Sequence, residues 1–308
     1  MIPGLWFQIL LFATGLILLV EGADFLVKGS SRTASMFGIP PLVIGLTIVA
    51  CGTSLPELTV SLTASLSGVN DIAIGNIIGS NIANVCLILG VSALIRPLKV
   101  RLGVVRREMP MMLGAMLTML IMSFDGRIGH LDGMILLICF VAYVTYFVRD
   151  VLQSNQRPEV AQTKLWHNAL MVIGGLLAAL IGARLLVNSA VVIARTLGIT
   201  EAVIGLSLVA LGTSLPELMT SAMASLRGRS DIAIGNVLGS NLFNILLVIG
   251  ICAAIIPLTS NMFIDLIVMC LAGLIVVLLF WSGLTLTRGE GALLLGAYGI
   301  YLAYLYGF

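Results

Sequence analysis

The sequence predicts an all-α membrane protein in which ten transmembrane helices form two inverted five-helix repeats, each with a broken helix. Three observations lead to this prediction. Only 10% of the residues are charged and 59% are hydrophobic, whereas a soluble domain has about 25% charged residues. The apolar residues fall into ten runs long enough for a bilayer, which needs about 20 residues per helix. Two polar blocks also occur twice, each second copy 160 residues after the first.

The ten predicted spans divide evenly between the two halves of the chain. In the first half, residues 1–149, we place them at 5–28, 41–67, 71–95, 104–124 and 131–149. In the second half, residues 165–308, they lie at 165–188, 201–227, 231–256, 262–283 and 290–307. The most polar connector, residues 150–164, joins the halves. A β-barrel is disfavoured because its strands would alternate polar and apolar residues in short segments.

The odd number of spans in each half means that the second half must enter the membrane from the opposite side. That relation is an inverted-topology repeat, with a pseudo-two-fold axis in the membrane plane. Cytoplasmic loops of membrane proteins are enriched in Lys and Arg. Loops placed alternately on the two sides have thirteen basic residues on one side and three on the other. This asymmetry predicts both termini outside and the 150–164 linker in the cytoplasm.

Each half contains one copy of both polar blocks. The first block reads GLTIVACGTSLPEL at 45–58 and GLSLVALGTSLPEL at 205–218, and the second reads DIAIGNIIGSN at 71–81 and DIAIGNVLGSN at 231–241. They lie within repeat motifs at 45–90 and 205–250. Glu57 and Glu217 occupy equivalent positions in them. Because a carboxylate inside a membrane is costly and usually functional, this pair predicts a transport site at the repeat interface.

The GTSLPE segments should break the second and seventh spans. Pro56 has no amide hydrogen and clashes with the preceding turn, and it disfavours helical geometry at the residue before it. Gly52 readily adopts unusual backbone angles. We therefore expect half-helices that meet around residues 50–56 and 212–216, where carbonyl groups lose their partners and face the site. Irregular backbone at membrane depth is tolerated where it lines a cavity.

Oxygen atoms dominate the polar groups of these two segments. They come from four hydroxyls and two carboxylates, namely Thr53, Ser54, Thr213, Ser214, Glu57 and Glu217. Oxygen ligands suit hard cations such as Ca²⁺ and Na⁺. Neither block contains histidine, and none of the five cysteines has a zinc or disulfide context. The composition therefore favours a hard-cation site over a soft-metal site.

The second block places polar side chains along one face of the third and eighth spans. Four-residue spacing aligns Asn76, Ser80 and Asn84, and likewise Asn236, Ser240 and Asn244. We expect this stripe to face the GTSLPE break and to complete an oxygen cage. The alternative is that intramembrane Asn and Ser only bind helices to each other. Two matched glutamates beside two matched stripes favour the cage.

The other acidic residues have simpler interpretations. Glu21 has Ile181 as its counterpart 160 residues later, so it is expected to be interfacial or locally paired. Asp71 and Asp231 precede predicted helices and are expected to act as N-terminal charges. Glu108 is expected to be a loop or helix-start charge.

At GTSLPE and GNxxGSNxxN, each present twice, the chain resembles the cation/calcium exchanger superfamily, and most of all its prokaryotic sodium/calcium exchangers. The two copies match that family's paired alpha repeats. The resemblance implies exchange of Ca²⁺ for Na⁺ by alternating access, with the first and sixth spans sliding against the others. It implies a multi-pass protein of the prokaryotic plasma membrane, with ions and the lipid bilayer as partners. We expect no cofactor, no nucleic acid and no enzyme activity.

The same resemblance implies a set of ion ligands. Glu57 and Glu217 would bind both Ca²⁺ and Na⁺, with further oxygens from hydroxyls, amides and backbone carbonyls. These come from Thr53, Thr213, Ser54, Ser214, Ser80, Ser240, Asn84 and Asn244, and from the carbonyls of Ala50 and Ala210. One position departs from the family pattern, because some relatives have Asp where this chain has Asn244. A K⁺ requirement is therefore not expected.

Three alternative functions remain open at this point. A Ca²⁺/H⁺ antiporter would use the same two glutamates, with protons in place of Na⁺ during the return step. A divalent-cation channel is less favoured, since channels use symmetric rings of charge around a pore. A membrane enzyme is disfavoured because no set of acid, base and nucleophile is visible.

Overall fold

A computed structural model describes residues 5–153, 164–197, 210–259 and 262–306, and this part of the chain is nearly all helical. Among the described residues, six helices are long and apolar enough to cross a bilayer: Leu5–Phe37, Asn70–Ile95, His130–Arg149, Leu165–Thr196, Ser230–Ile255 and Phe263–Gly283. A seventh candidate is the pair Pro41–Thr53 and Leu55–Leu66, whose axes differ by 45°. Much of the predicted 150–164 linker lies outside the described residues.

The elements are numbered in chain order. Those of the first half are α1 (Leu5–Phe37), α2 (Pro41–Ile44), π1 (Gly45–Val49), α3 (Ala50–Thr53), α4 (Leu55–Leu66), α5 (Asn70–Ile82), π2 (Ala83–Ile88), α6 (Leu89–Ile95), β1 (Leu98–Lys99), α7 (Leu102–Arg106), α8 (Glu108–Met122), β2 (Arg127–Ile128) and α9 (His130–Gln153). Those of the second half are α10 (Leu165–Thr196), α11 (Ala210–Gly212), α12 (Leu215–Leu226), α13 (Ser230–Leu242), π3 (Phe243–Ile249), α14 (Gly250–Ile255), β3 (Leu258–Thr259), α15 (Phe263–Gly283), β4 (Thr285–Leu286) and α16 (Arg288–Tyr306).

Helices α1 and α10 pack backbone against backbone along their length. Gly15 and Gly22 of α1 face Gly182 and Gly175 of α10, and a Cβ atom added at Gly175 would lie 2.7 Å from the Gly22 carbonyl oxygen. Small residues at a transmembrane interface allow such an approach because the attraction comes from close van der Waals contact. The two longest helices of the described chain therefore form one tight pair.

The continuous segments α5–π2–α6 and α13–π3–α14 form the centre of the molecule. Their side chains belong to the main hydrophobic core, together with those of α8 and α15. Gly235 and Gly239 of α13 lie against the backbone of residues 42–46. The part of the chain equivalent to 42–46 in the second half, residues 202–206, lies outside the described residues.

In the described part of the chain, two short antiparallel strand pairs join loops between the helices. β1 pairs antiparallel with β4, with Leu98 opposite Leu286, and β2 pairs antiparallel with β3, with Ile128 opposite Leu258. Helix α15 runs directly from β3 to β4 and its 21 residues span about 31 Å at 1.5 Å per residue. The two strand pairs therefore lie at opposite ends of the helix bundle.

Several helix bounds differ from the predicted spans. The first helix continues past residue 28 to Phe37 and ends before Gly38, which has a φ of +65°. Hydropathy marks only the apolar part of a helix, whereas backbone hydrogen bonding continues until a residue ends it. The predicted span 104–124 is interrupted at Arg107, where φ is −122° and ψ is −63°, which separates α7 from α8. The seventh predicted span is described only from residue 210 onward.

Candidate cation-binding site

The GTSLPE segment of the first half bends the chain between α3 and α4. Pro56 lies in the first turn of α4, and Ser54 has a φ of −80° and a ψ of 6°. The predicted loss of carbonyl partners is wrong for Ala50, whose oxygen accepts the Ser54 N–H at 3.0 Å. The chain bends by 45° without unwinding at Ala50, so this hydrogen bond survives. A carbonyl oxygen has two lone pairs, and the Thr53 hydroxyl also lies within 3.4 Å of this one.

Glu57 is buried at the start of α4, with 1% of its surface exposed. Its Oε1 atom lies 3.2 Å from the Ser214 hydroxyl and 3.4 Å from the Ser80 hydroxyl. Ser214 and Ser80 lie 3.2 Å from each other. A serine of the second GTSLPE segment thus binds the glutamate of the first.

Glu217 is equally buried at the start of α12, with 1% exposure. The Ser54 hydroxyl donates to its Oε1 atom at 3.4 Å, so the second glutamate is bound by a serine of the first segment. Each half therefore provides a serine that hydrogen-bonds the glutamate of the other half. The predicted residues Glu57, Ser54, Glu217 and Ser214 lie in one buried cluster.

Asn76 and Asn236 hold the backbone at the two glutamates. The Asn76 amide donates to the Glu57 carbonyl at 3.3 Å and to the Ser61 hydroxyl at 2.9 Å. The Asn236 amide makes the equivalent bonds at 3.3 Å and 3.0 Å, to the Glu217 carbonyl and to Ser221. These contacts support the predicted stripe, whose first members do face the bends.

The two predicted threonines bind the asparagines of the opposite half. The Thr53 hydroxyl donates to Asn236 Oδ1 at 3.2 Å, and the Thr213 hydroxyl donates to Asn76 Oδ1 at 3.4 Å. Thr53 also lies 3.4 Å from the Ala50 carbonyl oxygen. Hydroxyl and carbonyl oxygens therefore lie together at the first bend, as predicted.

The stripe does not continue regularly to its last members. Asn84 lies in π2 and Asn244 in π3, where the helix widens, and π segments are frequent at functional sites. Their amide groups bond to Asn241 and Asn81 across the halves. A regular α-helix, assumed from the four-residue spacing, does not predict these partners.

Five buried oxygens of the predicted ligands have no hydrogen-bond partner among the described residues. They are Glu57 Oε2, Glu217 Oε2, Asn84 Oδ1, Asn244 Oδ1 and Ser240 Oγ. Buried polar atoms are almost always paired, so each such atom requires an explanation. Carboxylate, amide and hydroxyl oxygens are the ligands of hard cations. The donor set therefore fits a hard cation such as Ca²⁺ or Na⁺.

A further charged cluster, which the sequence analysis missed, joins α1 to the end of α12. Asp24, 5% exposed, pairs with Lys28 and accepts a bond from Arg227 Nε at 2.8 Å. The residue 160 positions after Asp24 is Arg184, so the repeat comparison gave no signal for it. Asn81 and Asn241 were also missed, although both stand in the repeated GSN triplets.

The other acidic residues considered in the sequence analysis lie at helix starts or on the surface. Asp71 and Asp231 lie in the first turns of α5 and α13, as predicted. Glu108 begins α8, and Glu21 is exposed on α1. Within the described ranges, no group of three or more His, Cys, Asp and Glu side chains is placed to hold a metal ion.

Comparison with known proteins gives a consistent result. The model of the family described as "Sodium/calcium exchanger protein" matches residues 7–149 and 167–307. The chain is 40% identical to the inner membrane protein YrbG of Escherichia coli K12, over 96% of both chains. It is 33% identical to the sodium/calcium exchanger MaX1 of Methanosarcina acetivorans, over 96% of this chain and 98% of that one.

A solved structure shares the fold as well. The sodium-calcium exchanger NCX_Mj, soaked with zero Na⁺ and Ca²⁺, matches with a TM-score of 0.87 and 36% identity, over 97% of this chain and 98% of that chain. Together with the apolar helices, these likenesses make the chain a multi-pass integral membrane protein related to transporters.

Proposed function

Since the chain belongs to the sodium/calcium exchanger family, we propose that it is a secondary antiporter that exchanges Ca²⁺ for Na⁺ by alternating access. The observation that most supports this is the pair of buried glutamates, each bound by a serine of the other GTSLPE segment. A site shared between two halves opens to either side when the halves move relative to each other. Ca²⁺ and Na⁺ would compete for the same carboxylates.

The proposed architecture is ten spans in two inverted five-helix repeats, residues 1–149 and 165–308, joined by a cytoplasmic linker at 150–164. Hydrogen bonds that recur at equivalent positions 160 residues apart support the repeat, as those of Asn76 and Asn236 do. The strand pairs support the alternation of loops, since β1 and β4 belong to loops assigned to the same side. β2 and β3 belong to loops assigned to the other side.

The proposed ligands are the predicted set. Glu57 and Glu217 would bind both ions, helped by Thr53, Thr213, Ser54, Ser214, Ser80, Ser240, Asn84, Asn244 and the carbonyls of Ala50 and Ala210. Five of these side chains have a buried oxygen with no hydrogen-bond partner among the described residues, which supports this assignment. Because the amide nitrogens of Asn84 and Asn244 donate to Asn241 and Asn81, respectively, the side chains of Asn84 and Asn244 would offer only oxygen to an ion.

The charge of the site bears on stoichiometry. Two ionised glutamates hold two negative charges, which one Ca²⁺ or two Na⁺ would neutralise. A third Na⁺, held by hydroxyl and amide oxygens, would leave one positive charge. Exchange of more than two Na⁺ per Ca²⁺ would therefore move charge and respond to membrane voltage, at about 2.3 kcal/mol per charge per 100 mV.

The proposal is tested by uptake of radiolabelled Ca²⁺ into proteoliposomes loaded with Na⁺ and diluted into Na⁺-free buffer. We expect uptake with an outward Na⁺ gradient and none in K⁺-loaded vesicles. Uptake driven by a proton gradient alone would instead support a Ca²⁺/H⁺ antiporter, which uses the same two glutamates. Uptake without any countergradient dependence would favour a channel.

The first mutational prediction concerns the two glutamates. Glu57→Gln and Glu217→Gln should each reduce Ca²⁺ uptake more than about 100-fold, because they remove ligand charge, while even outer-sphere partners are worth about 10–100-fold in metal affinity. Glu21→Gln is the matched control, since Glu21 is exposed on α1 and should leave uptake unchanged. Normal uptake by either buried-site variant would remove the glutamates from the ion path.

A further inference from the structure

Four buried asparagines form two hydrogen-bonded pairs that cross between the halves. Asn84 Nδ2 donates to Asn241 Oδ1 at 3.0 Å, and Asn244 Nδ2 donates to Asn81 Oδ1 at 3.1 Å. All four side chains are buried. We call these the asparagine cross-pairs. Each pair joins the last residue of one GSNxxN segment to the GSN triplet of the other.

The orientation of the outer members is set by methionine sulfur. Asn241 Nδ2 lies 3.3 Å from Met112 Sδ, and Asn81 Nδ2 lies 3.6 Å from Met269 Sδ. A thioether accepts hydrogen bonds weakly and donates none. The amide nitrogen of each outer asparagine is therefore the atom that faces sulfur, which turns its oxygen toward the partner asparagine.

The orientation of the inner members follows from that of the outer ones. Asn84 and Asn244 meet an oxygen acceptor, so each must present its amide nitrogen to it. Their Oδ1 atoms are then the free ends, and these oxygens have no hydrogen-bond partner within the described ranges. A reversed amide would present an N–H₂ group in their place, which cannot bind a cation.

We propose that Asn81 and Asn241 are positioning residues, which hold the amides of Asn244 and Asn84 with the oxygen presented to the transported cation. This inference rests on the proposed function, since it assumes that Asn84 and Asn244 are ligands. Outer-sphere partners of this kind orient ligands of metal sites in general. Because each bond crosses between the halves, each half orients a ligand of the other.

The test is equilibrium binding of radiolabelled Ca²⁺ to the purified protein. Asn81→Leu and Asn241→Leu keep the approximate size of the side chain and remove the acceptor, and each should weaken Ca²⁺ binding about tenfold. Asn168→Leu is the matched control, since Asn168 is also buried and its amide also faces a sulfur, Met36 Sδ, at 4.0 Å. That variant should bind Ca²⁺ as the unmodified protein does.

A rescue experiment separates orientation from a merely structural effect. Asn84→Asp presents an oxygen in either orientation of the side chain. In this background Asn241→Leu should weaken Ca²⁺ binding less than about threefold, whereas in the unmodified protein it should weaken binding about tenfold. Equal losses in both backgrounds would overturn the positioning role. Met112→Leu removes the sulfur acceptor at nearly constant volume and should also weaken Ca²⁺ binding, by a smaller factor than Asn241→Leu. It provides a second test if Asn241→Leu does not fold.

The outcomes distinguish this inference from the proposed function. Failure of the unmodified protein to bind Ca²⁺ would overturn the proposed function and this inference with it. Unchanged Ca²⁺ affinity in folded Asn81→Leu and Asn241→Leu, beside normal Na⁺-dependent uptake, would overturn this inference alone. Circular dichroism and gel filtration establish that each variant is folded.

Discussion

Single residues of the candidate site are equivalent in position but unequal in their contacts. Ser80 lies 3.4 Å from Glu57 Oε1, whereas the Ser240 hydroxyl has no hydrogen-bond partner in the described part of the chain. Glu57 thus has two serine hydroxyls near one oxygen, and Glu217 has that of Ser54. Repeated sequence therefore produces two carboxylates whose surroundings differ.

Asp24 is the residue for which we make a stability prediction. Asp24→Asn removes the charge that Lys28 and Arg227 share, and it should lower the free energy of unfolding by about 1.5–3 kcal/mol, the usual range for a hydrogen bond to a charged group. Thermal unfolding in detergent measures this loss. Asp125→Asn, at an exposed turn, is the control and should change little. An unchanged melting temperature for Asp24→Asn would mean that the cluster does not stabilise the fold.

Sequence reasoning at this scale found the glutamates, serines and threonines because each stands in both copies of a motif. It missed Asp24 because its repeat counterpart is a residue of opposite charge, Arg184. It passed over Asn81 and Asn241 because spacing alone favoured a regular helix, on which these residues lie off the predicted stripe. Their partners Asn84 and Asn244 lie in π segments, which the four-residue spacing does not predict.

Among the elements, the α1–α10 pair depends on glycine. In Gly175→Ala the new methyl group would lie 2.5 Å from the Leu26 amide nitrogen and 2.7 Å from the Gly22 carbonyl oxygen. Both neighbours are backbone atoms that cannot rotate away, so the helices must separate. We expect a loss of about 1–3 kcal/mol in unfolding free energy, as for overpacked cores.

The adjacent glycine supplies the matched control for this prediction. A Cβ atom at Gly174 would meet no atom within 4 Å, and alanine favours the helix by up to about 1 kcal/mol over glycine. Gly174→Ala should therefore be neutral or slightly stabilising in the same thermal unfolding experiment. Equal melting temperatures for the two variants would show that close contact at Gly175 does not limit stability.

The positions of the bends could be predicted from the sequence, but their angle and backbone hydrogen bonding could not. Pro56 and Pro216 mark where α4 and α12 begin, because proline cannot continue the preceding hydrogen-bond pattern. The size of the bend, 45° in the first half, depends on how the two helical pieces pack against α5 and α13. Local sequence therefore indicates the position of a bend but not whether neighbouring carbonyls lose their bonds.

For the whole molecule, the proposed topology predicts which loops face the outside. Residues 101 and 125 lie on either side of α7 and α8, near β1 and β2 respectively. In a background lacking the five native cysteines, Asp125→Cys should react with a membrane-impermeant maleimide in intact cells. Arg101→Cys should react only after the membrane is permeabilised. Both positions are exposed, so access to the reagent depends on the side of the membrane.

Each outcome of this labelling has a definite meaning. The opposite pattern would reverse the proposed orientation and place both termini in the cytoplasm. Labelling of both cysteines in intact cells would mean that α7 and α8 do not cross the membrane, which would remove the odd number of spans per half and the inverted repeat with it. Cys51, exposed on α3, requires replacement for the experiment to be clean.

The sequence by itself determined the membrane class and the two copies of the motif, and it predicted an oxygen-rich candidate site with two glutamates. Composition and repeated motifs can be read directly from the sequence. A carboxylate within a membrane segment is costly whichever residues contact it, so its importance can be recognised before its partners are known. Only the tertiary structure showed that residues of one copy of the motif bind residues of the other copy. Ser214 binds Glu57 across 157 residues and Asn84 binds Asn241 across another 157. Because the two motifs contain the same hydrogen-bonding groups, each glutamate could in principle bind the serine of its own half or that of the other half. The packing of the two halves selects the second arrangement.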